Sequence, residues 1–290
     1  MKILLFGGTG QLGSEVRARV NDLNFELFCP VLSELDITDR EEVLLLSRKV
    51  KPDVIVNCAA YTAVDDAENN REEAFKINCD GAGFGAQAAK EVSARYILVS
   101  TDYVFGDGHS SPIKEDAETS PLNVYGESKL AGEKLVNTIL GGEGLIVRTS
   151  SLHGQFGANF VHTMIELFKA GKEVNVVADQ IMSPTYAGWL ADVLLDLVRT
   201  GEKGILHACC RGEISWYDFA SEIYKCIGAQ VDPDRKVRIE PVPSSDFPRP
   251  ARRPAYSVLD TSRLVAVLGR EPLSWQEGLR AHLRDLKFEC

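Results

Sequence analysis

Short apolar runs alternate with stretches of helical spacing along most of this 290-residue chain. Residues 2–6 read as a buried strand, and 25–29, 54–58, 96–100 and 145–147 as four more. Between them, 14–20, 39–50, 74–92 and 124–140 read as helices, the second with Thr38 or Asp39 as its N-cap. Strands alternating with helices predict an α/β fold built on a parallel, doubly wound sheet. Beyond about residue 150 the rhythm changes. Helix 160–170, strand 174–177, helix 189–199, strand 205–208 and helix 216–227 precede a Pro/Arg-rich segment at 241–254 and two short helices. We expect residues 1–150 to form the sheet domain, with the 174–177 strand added to it. Residues 151–290 should mainly form a small C-terminal lobe over the carboxyl edge of the sheet, where open α/β sheets bind ligands.

The first strand runs directly into Gly7-Gly8-Thr9-Gly10-Gln11-Leu12-Gly13, which opens a helix. That context makes Gly7-x-x-Gly10-x-x-Gly13 credible as a variant of the dinucleotide fingerprint. Glycine permits the tight turn, and the helix N-terminus offers N–H groups to a pyrophosphate. An acid at the end of the second strand would hold the ribose of NAD, and an arginine would suit NADP. Phe28-Cys29-Pro30-Val31-Leu32 offers neither, so the cofactor is NADPH or NADH, with a kinetic preference within about tenfold expected. Asp36 either contacts the adenine end or serves a turn.

Tyr125-Gly126-Glu127-Ser128-Lys129 puts a phenol and an ammonium on one helix face. A neighbouring ammonium favours the phenolate, and a tuned phenol can give a proton to a carbonyl oxygen. Thr101, in Ser100-Thr101-Asp102-Tyr103, sits at the end of a predicted strand and can hydrogen-bond the same oxygen. Together with the Gly-rich turn, these residues describe carbonyl reduction by a nicotinamide cofactor.

A net charge of −10 argues against a nucleic-acid or anionic-membrane surface. No apolar run approaches the roughly 18 residues needed to span a bilayer, and the start is not built like a signal peptide. Seven cysteines, none in Cys-x-x-Cys, read as reduced thiols in a cytoplasmic protein. The five histidines do not cluster at ligand spacing, so no metal is expected. Arg252 and Arg253, between prolines in an acidic chain, would serve a substrate diphosphate or pin the C-terminal lobe.

The chain resembles the extended short-chain dehydrogenase/reductases, and within them the dTDP-4-dehydrorhamnose reductase family. The markers are the Gly7–Gly13 turn, Leu35 to Asp39, Asn57 to Asp65, Ser100 to Phe105, Pro121 to Glu133, Asp179-Gln180 with Pro184-Thr185, and Pro250-Ala251-Arg252-Arg253-Pro254. The resemblance implies a Rossmann-type fold and reduction of a nucleotide-sugar 4-keto group, dTDP-4-dehydro-L-rhamnose to dTDP-L-rhamnose, in polysaccharide biosynthesis. It implies Thr101, Tyr125 and Lys129 as the catalytic set. Gly7, Gly10, Gln11, Leu12 and Gly13 would hold the pyrophosphate, with Asp36 and Ile37 near the adenine. Ala59, Ala60 and Tyr61 would run along the cofactor, and Val64, Thr101 and Asp102 would border the sugar.

Two positions depart from the family pattern. Ser151 and His153 stand where the family has a Trp that packs on the sugar and a Tyr, so the sugar pocket is altered. Some members dimerise through a metal held by glutamates. Glu15 matches one such position, but the other is Gly188, leaving a monomer or an unbridged homodimer. Two other functions share part of the pattern. An NAD-dependent epimerase or dehydratase would lack the Pro-Ala-Arg-Arg-Pro ending. A regulatory subunit like the β subunit of methionine adenosyltransferase would have no need of a tuned phenol.

Overall fold

Six parallel strands form the central sheet of the computed structural model, which describes residues 1–20, 25–232, 234 and 237–290. They are β1 (Lys2–Phe6), β2 (Glu26–Phe28), β3 (Val54–Asn57), β4 (Arg95–Thr101), β5 (Leu145–Thr149) and β6 (Gly204–His207), in the order β2-β1-β3-β4-β5-β6. Successive side chains point to opposite faces of a strand. Ile3, Leu5, Val54 and Val56 therefore enter one core, and Leu4, Phe6 and Ile55 the other. A strand buried on both faces reads as a continuous apolar run, which is why these were legible. Helices Gln11–Arg19 and Ala187–Leu197 cover the first face, and Arg40–Val50, Ala82–Glu91 and Val124–Leu140 the second. Asp39 is the N-cap of its helix, its Oδ1 accepting from the N–H groups of Glu41 and Glu42. The chain leaves β1 and β3 in opposite lateral directions, so a crevice opens between their carboxyl ends.

Three expectations need correction. The strand Val174–Val177 does not join the central sheet; it pairs with Ile239–Val242 in a separate two-stranded sheet, and β6 is the sixth strand. Asn175 is exposed while Val174 and Val176 are buried, the pattern of a strand with one wet face. The single helix expected over 74–92 is three pieces: Arg71–Phe75, a π-helical turn at Lys76–Gly81, and Ala82–Glu91. Cys226 and Cys290 are joined by a disulfide, whereas Cys29, Cys58, Cys79, Cys209 and Cys210 are free. The fold brings that pair to a Cα–Cα distance of 4.7 Å across 64 residues of sequence, a proximity no local spacing records.

Among the described residues, no helix is long and apolar enough to cross a membrane, and no group of three or more His, Cys, Asp or Glu is placed to hold a metal.

Candidate active site

The crevice holds a cavity of about 880 Å³, in the range of ligand and cofactor sites. Its floor is the Gly-rich turn. Gly7 has φ +74°, and a Cβ there would lie 2.5 Å from the Ala59 nitrogen. A Cβ on Gly13 would lie 2.2 Å from the Gly7 oxygen, so β1, β3 and the first helix can meet only through glycine. The Gly10 N–H donates to the Gly7 carbonyl at 3.0 Å and closes the turn. The following helix begins at Gln11 with no side-chain cap, so its first N–H groups stay available to an anion. The Gln11 side-chain nitrogen is buried without a hydrogen-bond partner, another donor without an acceptor in the cavity wall.

At the other end stand Thr101, Tyr125 and Lys129. Thr101 closes β4. The helix Val124–Leu140 is capped by Asn123, whose side-chain oxygen accepts from the Gly126 N–H at 2.8 Å. Gly126 lets that first turn lie against Tyr103: a Cβ there would fall 2.2 Å from the Tyr103 carbonyl oxygen. Tyr125 is thereby fixed edge-on to Tyr103, with ring centroids 5.9 Å apart.

Tyr125 and Thr101 line the cavity together, and the Thr101 hydroxyl donates to Asp102 Oδ1 at 3.1 Å. Burial pushes the phenol up to about 12, partly offset by Thr101, while the Asp102 charge adds to the rise. Lys129 donates to the Val99 carbonyl at 2.7 Å, and burial brings its ammonium down to about 8. The expected lowering of the phenol by Lys129 is therefore not realised: the two share a helix face, but the ammonium is turned to the backbone.

Asp102 is the third buried group at this end. Burial raises its carboxyl to about 6, opposed by Ser257 and by the hydrogen bonds it accepts from Ser150 and Thr101. The Ser150 hydroxyl donates to Asp102 at 2.9 Å and also lies 3.3 Å from the Ser151 hydroxyl. Ser151 lines the cavity in the left-handed region, φ +46°.

Other anticipated residues divide. Leu12, Asp36, Ile37, Ala59 and Ala60 line the same cavity. Asp36 also serves its turn, accepting from the Thr38 N–H and hydroxyl, each at 2.8 Å. Gly13 packs beneath the turn rather than lining the cavity. Tyr61 stands behind the wall, packed with Val124 and Tyr125. Val64 starts a short helix away from it. Arg252 and Arg253 do not line the cavity. Arg252 pairs with Asp107, and Arg253 holds both oxygens of Asp65 at 3.0 Å. Nor does His153 line it: it is buried against His282, with Nδ1 atoms 3.1 Å apart, so it offers the sugar no contact. Glu15 is buried, paired with Arg19 and accepting from the Gln155 N–H. Arg19 fills the space above Gly188, where a Cβ would meet its guanidinium at 2.2 Å.

Asn78 escaped the sequence reading. It lies in the π-helical turn, and its side chain accepts from the Tyr61 N–H and donates to the Tyr61 carbonyl and to the Ser128 hydroxyl. It thus ties the wall after β3 to the helix of Tyr125 and Lys129. Such turns gather at functional sites, but nothing in Lys76-Ile77-Asn78-Cys79 announces one.

The family model described as RmlD substrate binding domain matches residues 1–288. The dTDP-4-dehydrorhamnose reductase of Aggregatibacter actinomycetemcomitans is 38% identical over 286 residues, covering 96% of this chain and 97% of the relative. The chain belongs to the dTDP-4-dehydrorhamnose reductase family. It is a Rossmann-type oxidoreductase. A solved family structure, the Bacillus anthracis dTDP-4-dehydrorhamnose reductase in complex with NADP, superposes with a TM-score of 0.92 at 36% identity, covering 98% of this chain and 99% of that one. Within the same range stands the dTDP-4-keto-6-deoxy-D-glucose reductase of Streptomyces niveus, 39% identical over 256 residues, covering 88% of this chain and 87% of the relative. Identity to dTDP-4-dehydrorhamnose reductases therefore does not by itself choose the sugar.

Proposed function

We propose that this chain reduces the 4-keto group of a dTDP-linked 6-deoxy sugar, foremost dTDP-4-dehydro-L-rhamnose, with NADPH or NADH as the reductant. The observation that carries this reading is that Thr101 and Tyr125, with Lys129 one helical turn on, line one cavity with the Gly-rich turn. The residues fit a dinucleotide: uncapped N–H groups, the unpartnered Gln11 amide and a turn that only glycine can make all face or form that cavity.

When bound, the nicotinamide supplies the hydride to C4. Gly7, Gly10, Gln11 and Leu12 hold the pyrophosphate, and Gly13 allows the helix its close approach. Asp36 and Ile37 take the adenine end, and Ala59 and Ala60 flank the middle. Thr101 orients the carbonyl oxygen by hydrogen bonding. Tyr125 then gives that oxygen its proton. A phenol held near 12 is fully protonated at neutral pH, so it starts the reaction as an acid. Lys129 grips the nicotinamide ribose and steadies the phenolate that remains. Asp102 and Ser151 border the sugar.

The test is to mix the protein with dTDP-4-dehydro-L-rhamnose and each reduced cofactor and follow the nicotinamide absorbance. Oxidation that depends on the sugar is expected. No oxidation with this or any other dTDP-linked 4-keto sugar overturns the reading.

A further inference from the structure

The second strand ends without the acid that would hold a ribose diol or the arginine that would clasp a 2′-phosphate, but the fold supplies a cation from elsewhere. Arg17, two turns into the first helix, folds back so that its Nη1 donates to the Gly8 carbonyl at 3.4 Å. Cys29, at the end of β2, packs onto the same glycine: a Cβ on Gly8 would fall 1.9 Å from Cys29 Sγ and 3.3 Å from Arg17 Cδ. Arg17, Gly8 and Cys29 thus meet at one point, the junction of the Gly-rich turn and the second strand. In a dinucleotide-binding α/β fold this junction receives the 2′ position of the adenosine ribose.

The charges there favour an anion. Cys29 is neutral at physiological pH, since burial raises its thiol. Arg17 is exposed, and among the described residues it is in no ion pair. One carboxylate, Glu34, also bears on Cys29, but its side chain accepts from the Val31 N–H at 3.0 Å. Asp36, which lines the cavity whereas Arg17, Gly8 and Cys29 stand outside its wall, is engaged by Thr38.

We propose that Arg17 is the residue that recognises the 2′-phosphate, making this an NADPH-preferring site although β2 carries no basic residue. The guanidinium donates paired N–H bonds to a phosphate that stands over Gly8 and Cys29. The near-equal use of NADH and NADPH expected from residues 28–32 is replaced by a preference set from the helix. The proposal rests on the dinucleotide part of the proposed function and not on the identity of the sugar.

The experiment titrates 2′,5′-ADP and 5′-ADP into the cofactor-free protein by calorimetry, for wild type, Arg17→Gln and Arg17→Lys. Wild type should bind 2′,5′-ADP more tightly by about tenfold or more. Arg17→Gln should erase that advantage, with Glu34 now unopposed, and Arg17→Lys should restore part of it. The ratio of kcat/KM for NADPH and NADH, measured on any accepted keto sugar, should move in parallel. Equal binding of the two nucleotides by wild type overturns the proposal. So does an Arg17→Gln variant that weakens both by the same factor, which would make Arg17 a prop for the turn. Failure to find a sugar substrate leaves the nucleotide titration intact, so the two readings fail separately.

Discussion

The ammonium of Lys129 gives its hydrogen bond to the Val99 carbonyl, 2.7 Å away, and not to the Tyr125 phenol one turn before it. Burial lowers Lys129 to about 8, although Glu133, one turn further on, opposes the shift. The free protein therefore carries a cation that is lost just above physiological pH. An anionic dinucleotide whose ribose meets this ammonium should bind the protonated form better. Its affinity should fall as pH rises through about 8, and Lys129→Met should bind more weakly with a flatter profile. The sign for stability is opposite. A lysine whose folded pKa lies below its unfolded value costs stability at pH values below the unfolded pKa. The Met variant should thus melt no lower than wild type at neutral pH. A cofactor Kd independent of pH between 7 and 9 in wild type would remove Lys129 from ribose binding.

Tyr125→Phe removes the hydroxyl and keeps the ring that packs on Tyr103. General acid catalysis contributes about 10²–10⁴-fold, and turnover should fall by at least that order. Cofactor affinity should hardly change, since Lys129 keeps its bond to Val99. Stopped-flow reduction of the keto sugar gives the number; turnover near wild type would show that the proton comes from elsewhere.

The parts of this site that could be read in sequence are those set by local spacing. Tyr125 and Lys129 share a face because a helix repeats every 3.6 residues, and Gly7 and Gly13 follow from the geometry of one turn. Parts set by what the chain meets elsewhere could not be read. Arg17 looks like a solvated helix residue until β2 brings Cys29 beside Gly8. Asn78 gains its role only because the helix after β3 widens into a π-helical turn. Two short apolar segments competed for the sheet edge. Asn175 gives Val174–Val177 one wet face, whereas the valines around it read as a strand buried on both faces.

Arg253 holds both oxygens of Asp65, and its charge bears on Tyr103, whose ring fixes Tyr125. The pair keeps the Asp65 carboxyl below its usual range, so a substrate diphosphate would have to displace a bound carboxylate to reach this guanidinium. Arg253→Met should cost about 1–3 kcal/mol, between the values for exposed and buried pairs. It should lower Tm and kcat while leaving KM for the nucleotide-sugar near wild type. Arg252 is largely exposed, and its pair with Asp107 should contribute less than about 1 kcal/mol. A large rise in sugar KM with unchanged Tm, in either variant, would instead assign that arginine to the diphosphate.

Ser151 lines the cavity where the family pattern places a Trp, and its neighbours are hydroxyls: Ser150 at 3.3 Å, itself bonded to Asp102. A Trp ring buries on the order of 200 Å², so a Ser here leaves room beside the sugar. His153 does not fill that room, because its ring is stacked on His282 away from the cavity. The wild type should therefore hold a 6-deoxy sugar loosely or accept a bulkier one. Ser151 also has φ +46°, a left-handed conformation whose cost Ser and Trp share, so the substitution adds little backbone strain. The informative measurement on Ser151→Trp is thus the KM for dTDP-4-dehydro-L-rhamnose, taken together with Tm. A lower KM with Tm near wild type means that the cavity is an emptied version of the family pocket. Loss of activity on every 4-keto sugar the wild type accepts, with the fold intact by circular dichroism, means that the space beside Ser151 is already used by the substrate.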